Sequence, residues 1–323
     1  MDGVLYHGEQ ALPGAARFLA AIADLPHAFV TNNPIRTPEQ IAARFLRLGL
    51  PRPDPSQIVT SAQATACWLA REIPGYRYYA VGAGGLHAAL AEFGSADRER
   101  ADVVVIGEGP GLDYDSLTHG VNLICGRGAR LLATNPDLTV DDSHDGRHRL
   151  LPGGGALVAP FAAAAGVQPV VIGKPEPLLF RMALERLSVP ASACVMIGDR
   201  PDTDIAGAAR LGLLTALVRT GRFAPGDSWP EDVPRPDWDV EDLDTLCDRL
   251  GIFPRTSCLP RCRPRPLTTQ EHTHEICHLP VVRIPVRSPA RPGRTAAGTT
   301  GAQWYRIPRR LPELAVDLDL RPD

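Results

Sequence analysis

Short apolar runs alternate with amphipathic stretches over the first 250 positions of the chain, which predicts strands and helices in turn. Ala15, Phe18, Leu19 and Ile22 share one face of a helix over 14–24, and residues 28–30 form a short buried strand running into Thr31-Asn32-Asn33-Pro34. Thr37 and Gln40 have the spacing of a capping box. They open a helix through Ile41, Phe45 and Leu46 that stops near Gly49. Helices over 61–72, 84–93 and 115–126 then alternate with strands over 76–81, 103–106 and 130–134. Residues 137–149 are polar and predict a loop, followed by Gly153-Gly154-Gly155 and an Ala-rich helix to about 165. A strand over 170–172 ends in Gly173-Lys174-Pro175, and a helix covers 177–187. A strand over 194–197 ends in Gly198-Asp199, a helix covers 204–211, and 214–218 is the last clear strand. This alternation builds parallel sheets covered by helices, so the fold class is α/β. The larger sheet is expected from both ends of residues 1–250, with the smaller one in an insertion over 60–166.

From about 251 the pattern lapses into a stretch dense in Pro and Arg, expected to be an irregular extension. The total of 323 residues suffices for two domains and such a tail. A net charge of −3 leaves no electrostatic footprint for nucleic acid and no polybasic membrane patch. No apolar run is long enough to cross a bilayer. No signal peptide precedes the first polar motif, which begins at residue 2. Seven cysteines without a disulfide framework point to a reducing cytoplasm. Of the 34 Lys and Arg residues only Lys174 is lysine. It marks a position where a compact ammonium does what a planar guanidinium fork does not.

Four polar groups stand at strand ends: Asp2, Thr31, Lys174 and Asp199. Ligands of open parallel sheets bind in the crevice at the carboxyl ends of the strands, so one crevice can gather all four. A phosphate dianion needs a cation, donors for its equatorial oxygens, and carboxylates to hold a metal. Lys174 suits the first role. The Thr31 hydroxyl and the backbone N–H groups of Asn32 and Asn33 suit the second. Asp199 is a hard oxygen ligand of the kind Mg²⁺ prefers, and Asp204 is placed to brace it or to orient metal waters.

Asp2-Gly3-Val4-Leu5-Tyr6, Thr31-Asn32-Asn33, Gly173-Lys174-Pro175-Glu176-Pro177 and Gly198-Asp199-Arg200-Pro201-Asp202-Thr203-Asp204 resemble the four ordered motifs of the haloacid dehalogenase (HAD) superfamily, in its NagD/p-nitrophenyl phosphatase-like subclass. Ala133-Thr134-Asn135-Pro136-Asp137 and Pro152-Gly153-Gly154-Gly155 resemble that subclass's inserted cap. The resemblance implies a Rossmann-like doubly wound parallel sheet core, 1–59 and 167–250, with an α/β cap over 60–166 and a tail over 251–323. It also implies a Mg²⁺-dependent hydrolase of a small phosphorylated metabolite working through an aspartyl-phosphate. In that scheme Asp2 is the general acid and base, and the metal is held by Asp199 and the backbone carbonyl of Asp2. Thr31, Asn32, Asn33 and Lys174 hold the phosphate. Relatives with this cap often pair through it, so a homodimer is possible, and no nucleic acid or membrane partner is expected. The substrate is not legible, because similar scaffolds handle sugar phosphates, nucleoside monophosphates and glycerol phosphate.

The family pattern is Asp-x-Asp-Gly, whereas this chain reads Met1-Asp2-Gly3. The attacking Asp, and the apolar strand leading to it, are therefore expected upstream of a start codon set too late. The 323-residue chain is expected to be inactive for want of it. The alternative is a catalytically dead phosphate-binding or interaction protein of the same fold.

Other residue groups have weaker alternatives. Gly82, Gly84 and Gly85 hint at a dinucleotide loop but lack the third glycine in place. Cys258, Cys262, His272, His274, Cys277 and His278 have zinc-ligand chemistry at a spacing that fits no standard knuckle. His144 and His148 sit in the polar loop and are read as solvated. Cys67, Cys125 and Cys194 lie in apolar contexts and are read as core.

Overall fold

The central strand of the largest sheet, Val103–Ile106, is an unbroken apolar run buried on both faces, as a parallel strand between two helix layers must be. The computed structural model describes residues 1–144 and 147–254, the side chains of 143, 144, 147 and 148 excepted. The tail with its Cys and His cluster lies outside the described residues. The largest sheet has five strands, in the order Val170–Val171, Arg130–Ala133, Val103–Ile106, Arg77–Val81, Ser95–Ala96, all parallel.

Successive residues of its strands point to opposite faces, and the two faces carry separate cores. Tyr78, Val103, Val105 and Leu132 pack with Leu69, Leu86, Leu90, Leu179 and Met182, from helices Ser61–Glu72, Gly84–Ala91 and Leu178–Leu187. Tyr79, Val104, Ile106 and Leu131 pack with Leu123, Ile124, Val158 and Phe161, from helices Tyr114–Arg127 and Gly154–Ala165. Two smaller parallel sheets accompany it. One pairs Phe29–Thr31 with Ile58–Thr60, and the other runs Val195–Gly198, Leu214–Val218, Trp238–Val240. Among the described residues are also two antiparallel hairpins, one of them Tyr6–His7 with Gln10–Ala11. Phe29, Ile58, Ala216, Val218 and Val240 share one core with Phe18, Phe45 and Leu246, so residues 4–58 and 216–247 pack onto each other.

The alternation of elements matches expectation closely from Ser61–Glu72 through Leu214–Val218, and the structure differs from expectation at five points. The sheet with most strands lies in the middle of the chain rather than at its ends. Its edge strand Val170–Val171 comes from beyond 166. The polar segment expected as a loop is an antiparallel hairpin of Thr139–His144 with Arg147–Pro152. Cross-strand pairs rather than an apolar face hold it, as where Arg149 Nε donates to Asp142 Oδ2 at 2.6 Å. The helix expected over 204–211 begins as a widened π-type turn, Pro201–Ile205, before Ala206–Arg210. Such turns favour functional sites. Finally, Trp238–Val240 and helix Leu243–Leu250 extend the fold past the last expected strand. No helix among the described residues is long and apolar enough to cross a membrane.

Gly120 sits inside helix Tyr114–Arg127, where alanine is ordinarily favoured by about 1 kcal/mol. A Cβ there would lie 2.5 Å from Phe161 Cε1, a fully buried ring. Overpacking outweighs propensity, so Gly120→Ala is expected to lose a net ~1–2 kcal/mol. Urea unfolding checks this; a gain in stability would contradict the packing.

Candidate active site

The polar residues at the strand ends converge where parallel strands finish. Thr31 closes its strand, Asp199 follows Gly198, Lys174 follows the Val170–Val171 strand by three positions, and Thr220-Gly221-Arg222 follows Val218. At the centre Lys174 Nζ donates to Asp204 Oδ1 at 2.6 Å, with the two residues 7% and 3% exposed. The Asp204 carboxyl is raised by burial, but the Lys174 charge and hydrogen bond outweigh this and hold it below the usual carboxylate range. Asp199, 7% exposed, makes no ion pair among the described residues. Burial and then the Asp204 charge push its carboxyl up, against the Arg222 N–H, 3.0 Å from Oδ2, and the amino-terminal and Lys174 charges.

The Thr31–Asn33 turn is built by side chains folding back on the backbone. Asn33 N donates to Thr31 Oγ1 at 3.2 Å, and Ile35 N donates to Asn33 Oδ1 at 2.9 Å. Asn32 is not free to reach a phosphate with its side chain. Its Oδ1 accepts from Lys174 N at 2.7 Å and its Nδ2 donates to Lys174 O at 3.0 Å. It therefore brackets the lysine's own peptide units. Asp2 stands apart: its side chain is 50% exposed, 3.6 Å from His7 Nδ1, and partial desolvation raises its carboxyl.

The arrangement gathers a buried ammonium, a hydroxyl turn and two buried carboxylates in one crevice, with a third carboxylate at its mouth. Known proteins resemble about three quarters of this chain. The haloacid dehalogenase-like hydrolase family matches residues 1–96, and a HAD-hydrolase-like family matches residues 171–246. An acid sugar phosphatase of Staphylococcus aureus is 36% identical over 257 residues, covering 77% of this chain and 95% of that protein. This chain belongs to the haloacid dehalogenase-like hydrolases. Within them it is NagD-like. NagD from E. coli K-12 is 35% identical with a TM-score of 0.67, over 75% of this chain and 94% of that one. The glycerol phosphate phosphatase Rv1692 of Mycobacterium tuberculosis, solved in complex with magnesium, is 33% identical with a TM-score of 0.67, over 76% and 74%.

Several residues of this hydrolase site carry no local sequence signal. Gly221 packs its backbone against Asp199, where any Cβ would collide with the carboxylate. Thr220 Oγ1 donates to Gly3 O at 2.7 Å, tying the loop after Leu214–Val218 to the turn that carries Asp2. Arg222 Nε donates to Asp141 Oδ2 at 2.6 Å and its Nη2 to Thr139 Oγ1 at 3.0 Å, so the hairpin is fastened over the crevice. Arg200 pairs with both Asp202 and Asp137. Beneath them Asn135 Nδ2 donates to Asn32 O at 2.9 Å and to Glu108 Oε1 at 2.7 Å.

The remaining candidates resolve by packing. Gly84 and Gly85 open a helix that docks on the second motif, with Gly85 N donating to Ile35 O at 2.9 Å. Cys67 and Cys194 are half-buried and burial raises both thiols, whereas Cys125 is exposed on its helix, against expectation. The backbones of His144 and His148 lie in the hairpin, and their side chains lie outside the described residues. Among the described residues no group of three or more His, Cys, Asp or Glu side chains is gathered for a metal.

Glu108 is 1% exposed, and burial pushes its carboxyl up from 4.5 to about 7 despite the Asn135 bond. The folded protein therefore binds this proton more tightly than the unfolded chain. Stability from this group is full below about 4.5, falls as pH rises, and levels off above about 7. Glu108→Gln removes the charge at constant shape. It is expected to stabilise the protein relative to wild type at pH 8 by on the order of 3 kcal/mol, and the advantage should shrink towards pH 4.5. Melting curves across that range check it; a pH-independent difference would refute the buried carboxylate as its cause.

Proposed function

We propose that the protein is a Mg²⁺-dependent phosphatase that hydrolyses a small phosphate monoester through an aspartyl-phosphate. The observation that carries this reading is the buried Lys174–Asp204 pair beside Asp199, at strand ends shared with the Thr31–Asn33 turn. The phosphatase activities named for the acid sugar phosphatase and for Rv1692 support the same chemistry.

In the proposed reaction the Thr31 hydroxyl, the Asn32 N–H group and the Lys174 ammonium hold the phosphate oxygens, and the Asn33 N–H joins them on turning from Thr31 Oγ1. Asp2, half-exposed and with a raised carboxyl, donates its proton to the leaving oxygen and then takes one from the attacking water. Asp199 and the Asp2 carbonyl hold the magnesium ion, and Asp204 braces the site. Asp199 fits that ion: it is a buried hard oxygen donor whose carboxyl is raised by its burial and by Asp204, and Mg²⁺ accepts few protein carboxylates because it keeps waters. When bound, Mg²⁺ offsets the phosphate charge and orients the ester. The inserted segment closes over the crevice and limits water.

Of Asp2, Asp199 and Asp204 none is left to attack phosphorus. Asp199 and Asp204 are already committed, and Asp2 serves as acid and base. Phe29–Thr31 and Val195–Gly198 each have one partner strand among the described residues. A further parallel strand ending in Asp, encoded just before Met1, would supply both the missing neighbour and the nucleophile. Should no such strand be encoded, the committed state of all three carboxylates favours a phosphate-binding protein without turnover. The reading places the protein in the cytoplasm, with a small phosphorylated metabolite as its ligand.

The 323-residue chain is expected to show negligible turnover of p-nitrophenyl phosphate with Mg²⁺, and the chain extended by the upstream codons to gain it. Turnover by the shorter chain overturns this placement of the nucleophile, and none in either favours the binder. Lys174→Arg is expected to weaken inorganic phosphate binding by on the order of tenfold or more, because the fork does not fit the ammonium's contacts. Lys174→Ala should also cost about 3–5 kcal/mol of stability by stranding Asp204. Calorimetry and denaturant unfolding measure the two effects separately.

A further inference from the structure

Asp137 belongs to the inserted segment, follows strand Arg130–Ala133, and is 6% exposed. Both of its carboxylate oxygens are engaged by other parts of the chain. Oδ2 accepts from Asn32 Nδ2 at 3.1 Å, and Oδ1 pairs with Arg200 Nη1. Each partner continues to the centre of the site. Asn32 brackets the Lys174 peptide units at 2.7 and 3.0 Å. Arg200 N donates to Asp204 Oδ2 at 3.3 Å, and Lys174 Nζ closes the circuit on Asp204 Oδ1 at 2.6 Å. Asp137, Asn32, Lys174, Asp204 and Arg200 thus form a closed ring of hydrogen bonds.

We propose that Asp137 is a positioning residue for phosphate binding: it sets the Lys174 ammonium and the Asp204 carboxylate from two sides, through Asn32 and Arg200. The inference rests on the phosphatase reading above. The ring draws on the second, third and fourth motifs, and Asp137 is its one member from the inserted segment. Its own backbone is fixed, with N donating to Asn135 Oδ1 at 3.1 Å and O accepting from Gly155 N at 2.9 Å. A rigidly held anion in contact with two arms of the site transmits position, because in a buried network each bond constrains the next. The inserted segment therefore does more than cover the crevice. It supplies a buried charge without which the phosphate site is incompletely ordered.

The test uses the full 323-residue chain and inorganic phosphate with Mg²⁺, read by calorimetry, which requires no nucleophile. Asp137→Asn keeps the shape and removes the charge, and is expected to weaken phosphate binding on the order of tenfold to a hundredfold. Arg200→Gln should do the same. The double variant should lose no more than Asp137→Asn alone, because the Arg200 side chain acts on the site through Asp137, whereas Asp137 acts through both arms. General destabilisation would lower the melting temperature without this non-additivity. Phosphate affinity in Asp137→Asn within about twofold of the unaltered chain, or losses that multiply in the double variant, overturns the role of Asp137. Should Asp137→Asn fail to fold, Arg200→Gln decides alone: affinity within the same limit overturns the inference, and a loss in a folded protein sustains it. Absence of phosphate binding by the unaltered chain overturns the proposed function, and this inference with it.

Discussion

The buried pair of Lys174 and Asp204, 2.6 Å apart, is the interaction on which the rest of the site depends. Neither charge could stay inside the protein alone, because an unpaired buried ion costs far more than its partner returns. Asp199 adds a second carboxylate within the same low-dielectric region, where burial and the Asp204 charge already work against its ionised form. An incoming phosphate dianion would work against it further. A divalent cation bound by hard oxygen is the economical remedy, and it explains in physical terms why a site with so few protein donors suits Mg²⁺.

Holding three ionisable groups this closely requires a scaffold that resists their relaxation. The strands that end here are parallel, and all deliver their carboxyl ends to one side. The loops beyond them are then fixed by residues that face two ways. Arg200 and Arg222 use their backbone N–H groups inward, on Asp204 and Asp199, and their guanidinium groups outward, on Asp137 and Asp141. The same residue that shapes the charged centre therefore also fastens the inserted segment. A shift of that segment cannot occur without pulling on the peptide units that line the carboxylates.

Much of this was legible in the sequence where a single physical signal dominated. The Thr37–Gln40 box, the helix Ser61–Glu72 and the buried strand Val103–Ile106 follow from capping and apolar period alone. The hairpin Thr139–Pro152 did not, because charged cross-strand pairs stabilise it and leave no apolar alternation to read. Trp238–Val240 is three residues long and owes its place to pairing with Leu214–Val218. The same limit applies to the site. Thr31, Lys174 and Asp199 stand at or just past strand ends and could be picked out by position, whereas Asp2, ahead of the first strand Tyr6–His7, could be picked out only by its motif. Arg222, Gly221 and Asp137 matter only through contacts with residues far away in the chain. Asn32 shows the converse: its motif was legible, but the bracketing of Lys174 by its side chain emerges only in three dimensions.

The three carboxylates differ less in type than in access to water, and that difference sorts their proposed roles. Asp204 is 3% exposed and paired with an ammonium, so it is held ionised and has no proton to exchange. Asp199 is 7% exposed without a paired cation, an arrangement that favours a metal over a proton only when the metal is present. Asp2 is half in solvent. A group that must give a proton to a leaving oxygen and then draw one from water has to be reachable by both, and a fully buried aspartate would meet neither demand. Solvation therefore supports the acid–base role proposed for Asp2 as much as its motif does.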